Sequence, residues 1–349
     1  MFLNVSERVG LVLSGGGARA AYEVGVLKAI YSGKCPAAKD SPAPEVFCGT
    51  GAGAFNAAVI ASRLPGQFPS AIDYLESLWA DEIPQEGLMR NNRVFRKRLD
   101  TMQFFDLPFM WRRPLKSWAL YFGDLSYVAP KLFGGEGKDL SMWRELSPMH
   151  RLISESVNLG VIRDGEGGVG QLRILRVIAT EKGTGLPHIF KNADFSEEIG
   201  HKAIWASCAL PAIFPTVDIE GKEYFYGGLV MQAPLEPAVE AGCTTIHLIH
   251  NEPKLEQRRQ GEADNTLETL ARTAGVALEA TLERDLENRK RANAAGGSPR
   301  VAIHQYRPKT VLGGSSGLLD FSRENVEAAI AAGERDASQH DCADSGCIS

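Results

Sequence analysis

The stretch Glu45–Ile60 has the sequence EVFCGTGAGAFNAAVI. Its first residues are apolar, as in a short buried strand, and its last residues are rich in alanine, which favours a helix. Gly49, Gly51 and Gly53 alternate where the strand passes into the helix. Such glycines allow the strained turn of a nucleophile elbow, G-x-S-x-G, whose middle position carries the serine. Here that position is Gly51, so the sequence predicts the turn without its nucleophile.

A second glycine loop, Ser14–Arg19, follows the apolar run Val9–Leu13 and precedes a helical pattern. Backbone N–H groups that converge at a helix N-terminus suit a phosphate or a developing oxyanion. Gly15, Gly17 and Ala20 also satisfy the dinucleotide pattern G-x-G-x-x-A. That pattern needs an acidic residue at the end of the next strand, about 20 residues on. The chain has the glycine turn there instead, which disfavours a nucleotide site.

The composition excludes several classes of protein. The chain has 349 residues, of which 44% are hydrophobic, enough for one large domain or two intimately packed ones. A net charge of -5 gives no global attraction to nucleic acid, so we expect no nucleic-acid partner. We expect neither a signal peptide nor a membrane-spanning helix, because no long apolar run occurs. The six cysteines are scattered without C-x-x-C pairs or nearby paired histidines, which fits neither a disulfide scaffold nor a zinc site and predicts a cytoplasmic chain. We expect no cofactor and no metal.

The pattern changes between residues 88 and 127, where aromatic and basic side chains alternate. Such a mixture is typical of a membrane-surface contact or a lid over an apolar groove, and residues 104–122 are the candidate surface. The alternative is a helical layer whose aromatic side chains are core and whose basic side chains face solvent. The sequence therefore predicts a helical, aromatic-basic insertion at 88–127, with both interpretations open.

Further strands and helices follow along the chain. The predicted strands are 172–180, 187–190, a hairpin at 217–226, 244–249 and 301–306, and the predicted helices begin near residues 196, 234, 264 and 321. Pro211 and Pro215 follow the helix that starts near Ser196, which predicts an irregular apolar loop that could form a pocket wall. Residues 338–349 are small and polar, so we predict a flexible tail there.

Four stretches in this order resemble the patatin-like phospholipase family: Leu13–Arg19, Gly49–Ala54, Ala206–Pro215 and Gly227–Val230. The resemblance covers about residues 8–337. It implies a three-layer α/β/α sandwich, and the residue pattern adds the helical, aromatic-basic insertion at 88–127. It also implies an acyl hydrolase that cleaves lipid esters with a Ser/Asp dyad, and hence a lipid or fatty-acyl ligand.

The resemblance assigns the glycine loop to the oxyanion hole. Gly15, Gly16 and Gly17 would supply the amides, and Arg19 would help to fix their loop. The loop residues of this expected site are all present.

The resemblance also shows where the dyad should be. The serine would fall at Gly51 and the aspartate of an Asp-Gly-Gly turn at Tyr226, so both dyad residues are absent. The supporting positions of the two turns are Gly49, Gly53, Gly227 and Gly228. Glycine has no atom with which to attack an ester, and a tyrosine with a pKa near 10 is a poor base.

We therefore expect a non-catalytic, lipid- or acyl-binding pseudoenzyme, cytoplasmic or peripheral to a membrane, with a protein partner or homo-oligomer also open. One alternative is an active phospholipase lineage represented here by an inactivated variant. Another is a nucleophile-free reaction that uses the oxyanion amides and the Tyr226 hydroxyl. Gln232 stands where an Asn often follows the Asp-Gly-Gly turn, and this third departure favours natural loss of the dyad.

Other side chains near the inferred site are weaker candidates for its chemistry. The hydroxyls and thiol considered as substitute nucleophiles are Ser14, Cys48, Thr50 and Ser207. Strand alternation should direct Cys48 and Thr50 away from the apex of the elbow, and the two serines are interpreted as loop caps. Asp218 could approach from its hairpin. His247 and His250 are interpreted as structural or exposed.

Overall fold

The computed structural model describes residues 7–39, 41–63, 68–84, 92–94, 96–97, 144–145, 147–166, 173–211, 213–254, 266–296, 300–313 and 317–349. The predicted insertion at 88–127 and its candidate surface at 104–122 lie almost entirely outside these residues. Their role therefore stays a prediction.

The described strands and helices match most of the predicted ones. The strands are β1 Val9–Leu13, β2 Val46–Thr50, β3 Arg96–Lys97, β4 Arg144–Glu145, β5 Ile174–Glu181, β6 Pro187–Lys191, β7 Val217–Ile219, β8 Lys222–Tyr226, β9 Thr245–Ile249 and β10 Ala302–Tyr306. The α-helices are α1 Ala21–Tyr31, α2 Ala52–Ala61, α3 Phe68–Ser77, α4 Ser147–Ser156, α5 Leu159–Asp164, α6 Gly200–Cys208, α7 Leu235–Glu240, α8 Thr266–Ala294, α9 Arg323–Ser338 and α10 Cys342–Ser345.

The main sheet is mixed. Strands β10, β9, β1, β2 and β5 lie parallel in that order, while β6 and β8 pair antiparallel with β5 and β7 pairs with β8. Ala179 of β5 is paired with both His188 of β6 and Tyr226 of β8, so β6 and β8 flank β5 on opposite sides. Strand β8 therefore lies on the same side of β5 as β2 does, and it pairs with β5 just beyond the last residue of β2. This register brings Tyr226 to the elbow.

Helices cover both faces of this sheet. Successive residues of a strand point to opposite faces. Leu11 and Leu13 of β1 belong to a core that includes buried residues of α1, α2, α3 and α9, whereas Val12 packs with residues of α7 and α8. Because β1, β2, β5 and β9 are buried on both faces, they are largely apolar in the sequence, whereas the edge strand β10 includes His304 and Gln305. The predicted three-layer α/β/α sandwich is confirmed.

The segment after α9 pairs with the edge strand β10. It contains the short helix α10, and Ile348 forms an antiparallel bridge with Ile303 through backbone N–O distances of 2.7 and 2.9 Å. The side chain of Ile348 is buried. A domain boundary at residue 337 stays a prediction, but the tail after it contacts the sheet.

The helices of the described residues can be compared with the length and apolarity that a membrane-spanning helix needs. None of them is both long enough and apolar enough to cross a bilayer. The longest, α8, carries charged side chains along its length.

Candidate active site

The predicted elbow is present between β2 and α2. Gly51 lies between them with φ 59° and ψ -130°, a backbone conformation that residues other than glycine rarely adopt. A Cβ on Gly49 would lie 2.4 Å from the Gly53 carbonyl oxygen, and a Cβ on Gly53 would lie 2.4 Å from the Leu13 carbonyl oxygen. Gly49 and Gly53 are therefore required by the close approach of strand, helix and neighbouring strand.

Helix α6 ends against this elbow. The Gly51 N–H donates to Ser207 Oγ over 2.9 Å, and Ser207 Oγ in turn donates to the Ile178 carbonyl oxygen. Ser207 therefore caps the turn, as its sequence position predicts. Cys208 Sγ donates to the Gly51 carbonyl oxygen over 3.0 Å. Burial raises the pKa of Cys208 to about 12, so this thiol is protonated and unreactive at neutral pH.

The aromatic ring of Tyr226 fills the space in front of the elbow. A Cβ on Gly51 would lie 2.6 Å from Tyr226 Cε2, and a Cβ on Gly15 would lie 2.0 Å from the Tyr226 hydroxyl. A Cβ on Gly228 would lie 2.4 Å from the same hydroxyl. The tyrosine is only 8% exposed. Its ring thus occupies the volume that glycine residues leave free between the elbow, the glycine loop and the following turn.

Hydrogen bonds hold Tyr226 in this position. Its hydroxyl donates to Gln232 Oε1 over 2.8 Å, and Gln232 Nε2 donates to the Gly15 carbonyl oxygen over 2.8 Å. Its backbone N–H donates to the Ala209 carbonyl oxygen, and its carbonyl oxygen accepts from Thr180 Oγ1. Burial raises the pKa of Tyr226 well above its usual value, so the hydroxyl is neither a base nor an effective acid at neutral pH.

The glycine loop has the predicted conformation of a strand-to-helix turn. Gly17 has φ 55°, and Arg19 Nε donates to the Leu312 carbonyl oxygen over 3.0 Å while its guanidinium pairs with Glu252. Within the described part of the chain, the backbone N–H groups of Gly15, Gly16 and Gly17 donate no hydrogen bond to the protein. Arg19 thus links this loop to two later segments.

A buried polar network lies behind the glycine loop, and the sequence alone does not predict it. Both carboxylate oxygens of Glu23 accept hydrogen bonds of 2.7 Å, one from Asn56 Nδ2 and one from Asn251 Nδ2. Asn251 also donates to the Ser14 carbonyl oxygen over 2.8 Å. Burial raises the pKa of Glu23 to about 8, although both amide hydrogen bonds act in the opposite direction. The network joins β1, α1, α2 and the end of β9.

Of the substitute nucleophiles, Ser207 contacts the elbow only as the cap of the Gly51 N–H, and Thr50 and Cys48 are buried in β2. Thr50 Oγ1 donates to the Met231 carbonyl oxygen over 3.0 Å, and burial raises the pKa of Cys48 well above its usual value. Asp218 is exposed in its hairpin, where it accepts from the Gly221 N–H, and it has no contact with the elbow among the described residues.

His247, in the middle of β9, and His250, directly after it, are buried rather than exposed. His247 Nε2 is 2.8 Å from Ser41 Oγ, and its Nδ1 is 3.1 Å from the Tyr306 hydroxyl. His250 is also buried. Burial lowers the pKa of His247 to about 3, so its ring is neutral. The structural interpretation of His247 is therefore the correct one.

Fold and site together define an α/β protein with the elbow and glycine loop of a serine hydrolase but without its serine. The model of the family described as "Patatin-like phospholipase" matches residues 11–239, more than half of the chain. The chain therefore belongs to the patatin-like phospholipase family. No curated protein matches the chain.

Two solved structures resemble the whole chain at low identity. VipD from Legionella pneumophila is 14% identical with a TM-score of 0.44, over 96% of this chain and 66% of that one. The type III effector protein ExoU is 16% identical with a TM-score of 0.34, over 96% of this chain and 53% of that one. The chain thus spans between half and two thirds of the length of these two proteins.

Proposed function

We propose that this chain is a patatin-like protein that does not cleave acyl esters with a Ser/Asp dyad and that binds a lipid or fatty-acyl ligand. The observation that carries this proposal is the Tyr226 ring, which lies against Gly15, Gly51 and Gly228. Two defects therefore coincide at one place: the reacting groups are missing, and the space for the reacting ester is filled.

The missing groups alone are sufficient to remove ordinary turnover. An acyl-enzyme route needs a hydroxyl or thiol nucleophile within about 3 Å of a base. In another serine hydrolase, loss of the nucleophile lowers turnover by about 10⁶. The ring of Tyr226 adds a steric block, because the carbonyl oxygen of an ester would have to enter the same volume to reach the oxyanion amides.

The contacts of Tyr226 favour natural loss of the dyad over an isolated replacement. Gln232 joins the Tyr226 hydroxyl to the Gly15 carbonyl oxygen, so the tyrosine and the glutamine complement each other. A buried tyrosine hydroxyl without an acceptor would cost about 1–3 kcal/mol. The departures at positions 226 and 232 therefore support one another physically, which argues against the alternative of an inactivated variant of an active enzyme.

Apolar side chains follow Tyr226 and α6 in the chain and could contact an acyl group. Leu210 and Ile213 are half-buried in the loop after α6, and Leu229 is exposed in the turn after Tyr226. The family supplies the class of ligand, and these side chains supply apolar surface near the closed site. The six free cysteines fit a protein that works in a reducing compartment. A lipid ligand fits a protein that contacts a membrane surface.

A hydrolysis assay on fatty-acyl esters and phospholipid vesicles tests the loss of catalysis. We expect the wild-type chain and Tyr226→Ala to show no turnover above the substrate blank, and Gly51→Ser with Tyr226→Asp to recover turnover. Gly51→Ser alone should stay inactive, because its side chain would collide with the tyrosine ring. Wild-type turnover would overturn the proposal. An inactive but folded double variant would show that more than the dyad is missing.

A vesicle-sedimentation assay tests lipid binding independently of catalysis. We expect Leu229→Glu to weaken binding, because it places a charge on the apolar surface beside Tyr226. Leu186→Glu is the control, since Leu186 is an even more exposed leucine, 64% against 41% for Leu229, and lies in the turn between β5 and β6. Equal binding by both variants, or no binding by the wild-type chain, would reject a lipid ligand at this surface.

A further inference from the structure

Four metal-binding side chains converge where the tail meets the edge strand β10. The four, which we call the tail quartet, are His304, His340, Cys342 and Cys347. One ligand atom of each lies within 4.8 Å of the others. The sequence gives little sign of this arrangement, because His304 is separated from the other three by helix α9.

The distances within the tail quartet match the edges of a tetrahedral metal site. Cys342 Sγ lies 3.5 Å from His304 Nδ1 and 3.6 Å from His340 Nε2, and Cys347 Sγ lies 3.4 Å from His340 Nε2. A tetrahedral zinc ion with its usual Zn–S and Zn–N bonds separates sulfur from nitrogen by about 3.5 Å. One thiol hydrogen cannot serve two imidazole nitrogens, whereas a central cation would satisfy every ligand.

Neighbouring groups support the ligands as they do in metal sites. The other ring nitrogen of His340, Nδ1, lies 3.2 Å from Ser345 Oγ, which would fix the tautomer that offers Nε2 to a metal. The Gln305 N–H donates to Cys347 Sγ over 3.3 Å, a contact that suits a thiolate. The left-handed Gly346, with φ 77°, turns the chain so that Cys347 faces Cys342.

We propose that the tail quartet binds a structural Zn²⁺ ion and thereby holds the C-terminal segment on β10. Two thiolates and two imidazoles are the soft and borderline ligands that select zinc over magnesium or calcium. Four protein ligands fill a tetrahedral shell, so the site leaves no position for a substrate and its role is structural. Two thiolate charges also balance the charge of the ion.

Metal content and a cobalt spectrum of the reduced, full-length chain test this proposal. We expect about one zinc per chain after purification without chelator. After chelation, added Co²⁺ should give thiolate-to-metal charge-transfer bands and the intense visible bands of tetrahedral cobalt. Cys342→Ser and Cys347→Ser should abolish both signals, while Ser345→Ala should weaken zinc affinity by about tenfold or more.

The matched control is Cys208→Ser, because Cys208 is a half-buried free cysteine outside the tail quartet. It should retain the metal. Because the ligand variants could unfold, the cobalt spectrum of the wild-type chain is an independent measurement. The proposal is overturned if the reduced wild-type chain holds no zinc and gives no cobalt spectrum, or if mass spectrometry shows Cys342 and Cys347 joined as a disulfide.

Discussion

The elbow can be recognised from a contiguous sequence motif, whereas the tail quartet can be recognised only from the folded structure. At the elbow, a contiguous motif predicts the backbone, and three glycines satisfy it, yet the groups that would do chemistry are missing. At the tail quartet, no motif is visible, yet His304 of β10 meets three ligands of the distant tail, His340, Cys342 and Cys347. A motif therefore predicts a backbone shape, whereas chemical capacity depends on which side chains finally converge.

Substitution of Gly51 by serine should produce the largest effect on stability. A serine at position 51 would have an unfavourable backbone conformation, and its side chain would collide with the Tyr226 ring. We therefore expect a loss of about 2–5 kcal/mol in the free energy of unfolding. Urea denaturation measures this loss, and adding Tyr226→Ala should recover the steric part.

Gly185→Ser is the matched control for this substitution. Gly185 has φ 69°, but no heavy atom lies within 4 Å of the Cβ position. Its replacement should therefore cost only the backbone part, about 1–2 kcal/mol. If Gly51→Ser costs no more than Gly185→Ser, the tyrosine does not fill the elbow.

The buried Glu23 should make stability depend on pH. Its folded pKa is raised from 4.5 to about 8, so the folded chain binds the proton more tightly than the unfolded chain does. The stabilising contribution is therefore complete below the unfolded pKa and is lost as pH rises toward 8, with a slope of at most about 1.4 kcal/mol per pH unit. Buried histidines with lowered pKa values oppose this trend below about pH 6.5, so urea midpoints in the wild-type chain should fall as pH rises from about 7 to about 8.

The variant Glu23→Gln should lose this slope, since it stays neutral at every pH. Glu223→Gln is the control, because Glu223 is exposed on β8 outside the network. A slope that persists in Glu23→Gln would mean that another group is responsible.

Breaking the bridge between Tyr226 and the glycine loop should have a smaller effect. Gln232→Leu leaves the buried tyrosine hydroxyl and the Gly15 carbonyl oxygen without their partner, which should cost about 1–3 kcal/mol in urea denaturation. Tyr226→Phe in the same chain should recover part of this loss. Additive effects of the two substitutions would show that the two side chains are not coupled.

The smallest global effect should come from the tail. Ile348→Ala removes part of a buried side chain at the bridge with Ile303, and because a terminal segment can open locally, the midpoint of unfolding should change little. Hydrogen exchange at the Ile303 amide should nevertheless accelerate, with the amides of β1 unchanged in the same sample. Faster exchange throughout the sheet would mean that tail and core unfold together.

Much of the fold can be predicted from local patterns. The strands β1, β5, β9 and β10 and the glycine turns at Gly15–Gly17 and Gly49–Gly53 are where the sequence places them. These predictions succeed because the period of burial and the absence of a Cβ are properties of neighbouring residues. The absence of the dyad is visible for the same reason, since it concerns single positions within motifs.

What the sequence determined by itself is the layered scaffold, its elbow and its glycine loop, and the loss of serine and aspartate from them. Only the tertiary structure decided that Tyr226 fills the empty site, because the antiparallel register of β8 on β5 brings its ring to Gly51. The tail quartet and the Glu23 network likewise depend on contacts between residues far apart in the chain. Spacing along the sequence carries no record of such contacts, because packing and strand pairing create them.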